Sequence, residues 1–482
     1  MAITINQKPG GFEPAGKDLI FVVNSTNVGN FKFKFVFDVK INGTLIARVL
    51  SNSNPVSKGI FNCAEIVRSV MSADTQIIGS TVFIAKAPNL YQPGLLSGSQ
   101  GNSIKKVKIQ CGESYSSTAT GDPVIYPNLA SHEFFCWNGT FNQHNNFIDD
   151  SSEYYALPNA SGSIYGRILS NLDWCRNEQN NTQQIGFDNE SPLAPLPGGA
   201  FFLQKVYFGD YATMSFLNDN GTYLTGNYNT DVLYRVWKRD GTSFAVNIPL
   251  YPGGNVSPTQ KLIHMGVGPS NISQVGGAGL IPSNWTPQSL GADLAWYSFQ
   301  FNSGQGGGNN TEPYVFVWGE DNCGGKNKSE SDGSLPYYRV MWLNDLGGWD
   351  YYNFGKFSQE NVKVSRKSYT KIRGNYGSAD GSGTPFTYQT DQRGKQDTQV
   401  YPEVNYTLST GFLETWEFRF LSNIVKSSSV FFQLCGQAGI LHPFIPCNVL
   451  DSNFAFQRTE VGKPKQAKIK IQESNTQYNS KG

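Results

Sequence analysis

Residues Arg339–Tyr369 read RVMWLNDLGGWDYYNFGKFSQENVKVSRKSY, and the fold class is decided there. The aromatic runs Tyr337–Trp342 and Trp349–Phe354 suit pleated, half-buried strands. Between them Asn344-Asp345-Leu346-Gly347-Gly348 carries Asn, Asp and paired glycines, which supply the positive φ angles of a tight connection. A β-hairpin is expected. After it, Asn361–Ser368 alternates, with Val362, Val364 and Arg366 on one face and Lys363, Ser365 and Lys367 on the other, the pattern of a strand with one wet face. A third strand completing a small sheet is therefore predicted. The stretch lacks the residue types of an active site and has the composition of a rigid joint, as in a building block of an assembly.

The rest of the composition leans the same way. The chain of 482 residues is 13% aromatic and has 51 glycines and 24 prolines, with only 16% charged residues. That length is too great for one core and suggests about three units, and the balance of aromatics against turn formers points to a mainly β, multidomain protein. A net charge of +1 provides no global field toward nucleic acid or an anionic membrane. The seven cysteines, Cys63, Cys111, Cys136, Cys175, Cys323, Cys435 and Cys447, are widely spaced without a CxxC pair, and are expected to be reduced and mostly buried. The N-terminal MAITINQKPGGFEPAGKD has no basic start or apolar run of a signal peptide, and no apolar segment approaches the ~18 residues of a membrane span. Synthesis in a cytoplasm is expected.

Residues 1–115 are expected to form an immunoglobulin-like or fibronectin-like β-sandwich with one short helix. Within it Leu19–Val23 is a strand, and Phe31–Ile41 alternates so that Phe31, Phe33, Phe35, Phe37 and Val39 share one face, fitting an outer strand. Asn42-Gly43 makes a two-residue turn into Thr44–Leu50. Ile66, Val67, Val70 and Met71 share one helical face, with Asn62 as the cap. Thr81–Ala85 and Ser103–Cys111 add strands, and the turn-rich 112–130 is read as a linker or long loop.

Residues 125–335 are expected to be a β-rich middle domain with long loops. Its strands include Ala200–Phe208, Thr222–Thr225, Val232–Trp237, Ser243–Ile248 and Pro313–Trp318, with Asp240-Gly241 as a hairpin turn. Residues 336–482 are expected to be a small α+β module that starts at the hairpin. In it Gly374–Lys395 is a polar loop, and Phe412, Leu413, Trp416, Phe420, Leu421, Ile424 and Val425 predict one amphipathic helix over Thr410–Val425. Strands Val430–Leu434, Ile440–Pro446 and Ala467–Ile471 follow, with the helix lying on them.

Several of these motifs occur in a suggestive order. They are the Phe31–Val39 strand with its Asn42-Gly43 turn and helix, the Tyr211–Leu217 stretch, and the Leu343–Phe354 hairpin with its basic strand. Last comes the Leu408–Ile471 block, with the Trp416 helix, the Ser427–Val430 turn and the Ile440–Pro446 strand. Together they resemble large virion-structural proteins of tailed bacteriophages, of a type common in phages of Bacteroidetes-like hosts and in marine phage metagenomes. The resemblance implies a non-enzymatic tail, adaptor, baseplate or fibre-attachment component, located in the virion and made in the host cytoplasm. It implies a homo-oligomer that assembles with other phage tail proteins, and it carries over no catalytic residues.

The residues agree with that absence of chemistry. Carboxylate groups that could hydrolyse a glycan are Asp149, Asp150 and Glu153, or Asp345 and Asp350, or Glu414 and Glu417. They lie in a polar loop, a hairpin turn and neighbouring helical turns, where solvated or turn-forming roles suffice. His132, His144, His264 and His442 are far apart and form no HExxH pair, so no metal site is expected. There is no GxSxG, and the Gly276–Gly279 and Gly304–Gly308 loops lack the Gly-Lys-Ser/Thr of a phosphate loop. No catalytic residue, cofactor or metal is therefore assigned. The basic runs Lys105, Lys106 and Lys108, Lys363–Lys371 and Lys463–Lys470 read as wet strand faces or as contacts for an acidic neighbour. Nucleic acid enters only as a guest of a channel lined by many copies. The competing class is a receptor- or glycan-binding tail fibre, with aromatic loops such as Trp349-Asp350-Tyr351-Tyr352 stacking on sugars.

Overall fold

The structure, a computed structural model, describes residues 3–73, 102–140, 167–170, 202–207, 209–217, 231–249, 262–275, 281–302, 313–318, 337–354, 358–370, 394–410, 413, 415–435, 444–451 and 466–474. It is mainly β, as the composition predicts. No helix is long and apolar enough to cross a membrane among these residues.

The first part of the chain contains β1 (Ile3–Gln7), β2 (Phe12–Pro14), β3 (Ile20–Ser25), β4 (Phe31–Ile41), β5 (Thr44–Ser51), β6 (Lys58–Asn62), α1 (Ala64–Ser69), β7 (Ile104–Ser116) and β8 (Val124–Trp137). These strands make a three-stranded sheet, β1-β3-β6, and a five-stranded sheet, β2-β8-β7-β4-β5. One core serves both sheets: Phe21, Val23 and Phe61 meet Phe35, Phe37, Ile109 and Phe134, and Phe37 stacks on Phe61 at 4.8 Å. Asn42 and Gly43 take φ of 50° and 87°, the primed-turn geometry that matches strand twist. The N-cap of α1 is Cys63 rather than the expected Asn62, although the Asn62 side-chain oxygen accepts from the Ala64 N–H at 3.1 Å and so satisfies an orphan donor at the start of the helix.

Three expectations are corrected here. β4 is not an outer strand, because β5 and β7 flank it on both sides. Phe31 is not on the core face: Lys32 has a φ of 56°, the register shifts between Phe31 and Lys34, and this bulge re-aims Phe31 into solvent. The passage 112–130 is no linker, since β7 and β8 run through it as a long hairpin paired from Ile104↔Trp137 to Tyr115↔Val124. Its polar residues are those of strands with a wet face. The proposed strand Thr81–Ala85 lies outside the described residues.

The remaining chain adds β9 (Arg167–Ile168), β10 (Phe202–Val206), β11 (Thr213–Leu217), β12 (Asp231–Lys238), β13 (Ser243–Pro249), β14 (Leu262–Gly266), α2 (Pro269–Val275), α3 (Pro287–Leu290), β15 (Leu294–Asn302) and β16 (Tyr314–Trp318). These are followed by β17 (Tyr337–Leu343), β18 (Trp349–Phe354), β19 (Gln359–Thr370), β20 (Lys395–Ser409), α4 (Thr415–Lys426), β21 (Val430–Cys435), β22 (Ile445–Val449) and β23 (Lys468–Glu473). They form a five-stranded sheet β10-β16-β15-β12-β13, a three-stranded sheet β14-β11-β9 and a seven-stranded sheet β18-β17-β21-β22-β23-β20-β19. One core runs through all three, from Val206 to Ile471, so the expected boundary at 335/336 crosses a continuous packing of side chains. α4 covers the seven-stranded sheet, with the Trp342 and Phe420 rings 5.0 Å apart. Its α-helical span starts at Thr415 rather than Thr410, the latter following β20 directly.

The hairpin itself forms as expected, with β17 and β18 antiparallel from Tyr338↔Phe354 to Leu343↔Trp349. The strand after it does not join it. β19 pairs with β20 at the opposite edge of the seven-stranded sheet, and β21 takes the place beside β17. Nor does β19 have one buried face; it is exposed along its whole length. β15, whose LAWYSFQFN alternates around Trp296, Ser298 and Gln300, is a central strand that is not among those predicted above.

The bulge makes a contrast that unfolding can read. Phe37→Ala is expected to lower stability by about 3–5 kcal/mol in urea denaturation, whereas Phe31→Ala should change it by less than about 0.5 kcal/mol. Equal losses would mean that Phe31 packs inside.

Candidate functional site

Two features stand out around the hairpin: a buried polar joint at β17–β18, and an exposed ribbon made by β19 and β20. In the joint, Arg339 sits in the otherwise apolar run of β17 and is fully buried, as is Asp210. Its Nη1 donates to Asp210 Oδ2 at 2.8 Å and to Asn353 Oδ1 at 2.6 Å, and its Nε donates to the Tyr211 carbonyl at 2.9 Å. The guanidinium also lies over the Tyr351 ring, 4.8 Å from its centroid. Asp210 is correspondingly saturated. The Tyr337 hydroxyl donates to Oδ1 at 2.7 Å, and the Tyr207 N–H (2.7 Å) and Asn353 Nδ2 (2.5 Å) donate to Oδ2. A buried carboxylate and guanidinium repay their desolvation only through such bonding, and here Arg339 Nη2 is the one guanidinium nitrogen left without a hydrogen-bond partner.

The hairpin turn is built by Asn344. Its Oδ1 accepts from the N–H groups of Leu346 at 3.0 Å and Gly348 at 2.9 Å, and its Nδ2 donates to Asp350 Oδ2 at 2.9 Å and to the Leu169 carbonyl at 3.1 Å. Gly347 has a φ of +89°, and a Cβ on Gly348 would collide with the Leu169 carbonyl oxygen, so both glycines are needed for this close approach. The turn then meets the first sandwich: Trp137 Nε1 donates to the Leu346 carbonyl at 3.0 Å and Thr140 Oγ1 to the Asp345 carbonyl at 3.1 Å. Ile104, Trp137, Leu169 and Leu262 pack at the same place.

The residues weighed for chemistry are accounted for one by one. Asp350 is buried and accepts from Ser170 Oγ at 2.6 Å as well as from Asn344. Asp345 lies in the turn, where burial pushes its carboxyl above the ordinary aspartate range. Glu417 is buried in α4 and bridges Lys205 at 2.6 Å. His132 Nε2 donates to the Pro9 carbonyl at 2.9 Å, and burial lowers its pKa. Cys63, Cys111, Cys136 and Cys447 are buried free thiols; burial raises all four, with Cys63, Cys111 and Cys447 pushed up to about 12. At that value a thiolate nucleophile is scarce near neutrality. Among the described residues no group of three or more His, Cys, Asp or Glu could hold a metal ion. Asp149, Asp150, Glu153, Glu414, His144, His442, Cys175, Cys323, both glycine loops and residues 374–393 lie outside the described residues.

Sequence reading did not bring Ser215 and His264 together; they meet at 2.9 Å through Nδ1. Both are buried between the paired strands β11 and β14, and the Trp349 N–H donates to the same hydroxyl at 3.4 Å. A nucleophile must reach a substrate, and this hydroxyl is instead spent on the hairpin.

The ribbon is the converse case, polar and apolar groups held out rather than in. β23 pairs with β20 only over Asn405–Ser409, so beyond Val404 the two strands β19 and β20 continue as a two-stranded ribbon to Thr370↔Lys395. Its register places Val362 opposite Val404, Val364 opposite Pro402 and Arg366 opposite Val400 on one face, and Lys363 opposite Glu403 and Ser365 opposite Tyr401 on the other. Val362 is 56% and Val364 43% exposed. The ribbon is held across by Lys363–Glu403 at 3.3 Å and Arg366–Asp397 at 3.0 Å, exposed pairs each worth well under about 1 kcal/mol. Isolated two-stranded ribbons are marginal in water. The basic run therefore has acids of its own chain beside it, as do Lys106 and Lys108, which both bridge Glu133.

Removing one partner of the joint leaves a buried charge. Asp210→Asn is expected to destabilise the chain by about 3–5 kcal/mol, and Asp210→Asn with Arg339→Met by much less than the sum of the singles, in a urea double-mutant cycle. Asp345 tests the turn by pH. Its folded pKa is raised, so the wild type binds its proton more tightly when folded and loses stability as pH rises through the folded value. Asp345→Asn should then be as stable or more stable than wild type at pH 7, the gap closing below the ordinary aspartate range in pH-dependent melting curves. Neither a protein-family profile nor a curated protein matches this chain.

Proposed function

We propose that this chain is a non-enzymatic structural component of a tailed-phage virion: a ring, adaptor, baseplate or fibre-attachment protein that works by symmetric assembly with its own copies and other tail proteins. The observation that carries this reading is the ribbon of β19 and β20, which holds Val362 and Val364 in solvent on a strand that, among the described residues, is paired along one side only. A lone chain gains nothing from such an arm, and exposed apolar strand edges are what β-augmentation uses. Two further features support it. The carboxylates of Asp350 and Glu417, the thiols of Cys63, Cys111, Cys136 and Cys447 and the imidazoles of His132 and His264 are bonded or buried in structural roles, and two sheets sharing one core near the N-terminus suit an immunoglobulin-like or fibronectin-like spacer. In this reading the protein is made in the host cytoplasm and resides in the virion tail.

A second reading, a receptor- or glycan-binding fibre, draws on exposed tyrosines such as Tyr126 on β8 and Tyr369 on the ribbon, which could stack on sugars. Light scattering with electron imaging of the purified chain separates the two. A discrete closed oligomer is expected; a monomer that binds host-surface glycans saturably would replace the assembly reading with the fibre one.

A further inference from the structure

We propose that β19 is a docking edge for β19 of a second copy of this chain, the two strands running antiparallel across a two-fold axis at Lys363. This rests on the assembly reading and names the partner. β19 ends the seven-stranded sheet, and from Gln359↔Thr407 to Lys367↔Gln399 its pairing with β20 is unbroken, the register shifting only after Lys367. Natural edges are blunted by proline, bulges or inward charges. The stretch of β8 that precedes its pairing with β2 at Phe135–Trp137 is blunted in this way: it carries Pro127, Asn128 at φ 65° and a register shift opposite Cys111/Glu113. The Gln359–Lys367 edge has no proline and no bulge, and its charged side chains, Glu360, Lys363, Arg366 and Lys367, are of both signs, so a partner strand has to match them.

The sequence of the edge is complementary to itself. With Lys363 on the axis, Glu360 faces Arg366 twice, Val362 faces Val364 twice, Asn361 faces Ser365 and Gln359 faces Lys367. Opposite charges and β-branched pairs directly across a ladder are the stabilising combinations. A register one residue away sets the valine-bearing face of one copy level with the polar face of the other. A two-residue slip leaves Glu360 opposite Val364 or Ser368. The one repulsion in the chosen register is Lys363 against its symmetry mate, and each of these is bridged at 3.3 Å by Glu403 of its own ribbon. The pairing would join two seven-stranded sheets into one and make the valine stripes contiguous.

Cysteine cross-linking of the full chain reads the register. Residues opposite each other in a ladder have Cα atoms about 4.5–5.5 Å apart, within disulfide reach. Lys363→Cys is expected to give a covalent dimer under mild oxidation where wild type gives none. Ser365→Cys alone should not, but a mixture of Asn361→Cys and Ser365→Cys chains should give the mixed dimer. In sedimentation, Glu360→Arg and Arg366→Glu should each weaken the dimer about tenfold, and the double reversal should restore it. A chain that forms rings or joins tail proteins without the Lys363→Cys cross-link, or in which Ser365→Cys cross-links as well with itself, overturns this pairing and leaves the assembly reading standing. A chain that stays monomeric and gives no cross-link overturns both.

Discussion

The arrangement of the second and third parts of the chain depends on one buried ion pair. Arg339 and Asp210 are 129 positions apart, and neither tolerates burial without the other. Because Asp210 also takes the Tyr337 hydroxyl, the Tyr207 N–H and Asn353, the segment leading into β11 is fixed against both strands of the hairpin. Such a network has few alternative arrangements, so it specifies a geometry more than it adds stability. From there the order passes outward: β11 fixes β14, and the hairpin turn reaches Trp137 at the end of the first sandwich.

Much of this was legible where the information is local. The Asn42-Gly43 turn, the Asn344–Gly348 hairpin, the Asp240-Gly241 turn and the Leu421/Ile424 face of α4 follow from backbone preferences and periodicity over a few residues. What periodicity does not encode is which strand lies beside which. The β19 segment has the alternation of a half-buried strand, yet its neighbours are settled by β20 and by β21 displacing it from the hairpin. Likewise 112–130 reads as a linker because Ser, Thr, Gly and Asp suit turns, and only pairing across β7 and β8 makes it sheet. The bulge at Lys32 is a backbone event that shifts one phenylalanine without altering the pattern of letters.

The site followed the same division. An arginine in YYRVMWL was the one visible sign of the joint, since a guanidinium inside an apolar strand requires a partner. Its partner was hidden by distance along the chain, as were Ser215 for His264 and Ser170 for Asp350. Of the hairpin carboxylates, read as solvated or turn-forming, Asp350 is buried rather than solvated and is bonded to Asn344 of the turn and to Ser170, while the acids of 149–153 are not among the described residues. The ribbon adds what composition could not: valines and lysines of ordinary abundance become a surface once their register is known.

The thiols give the molecule a set of internal reporters. Cys63, Cys111 and Cys136 sit in the core of the first sandwich and Cys447 in that of the seven-stranded sheet. A reagent that attacks only thiolate in contact with water can reach them when the surrounding strands part. The order in which these positions are labelled as denaturant rises thus ranks the two cores by resistance to opening, without a probe being introduced into either.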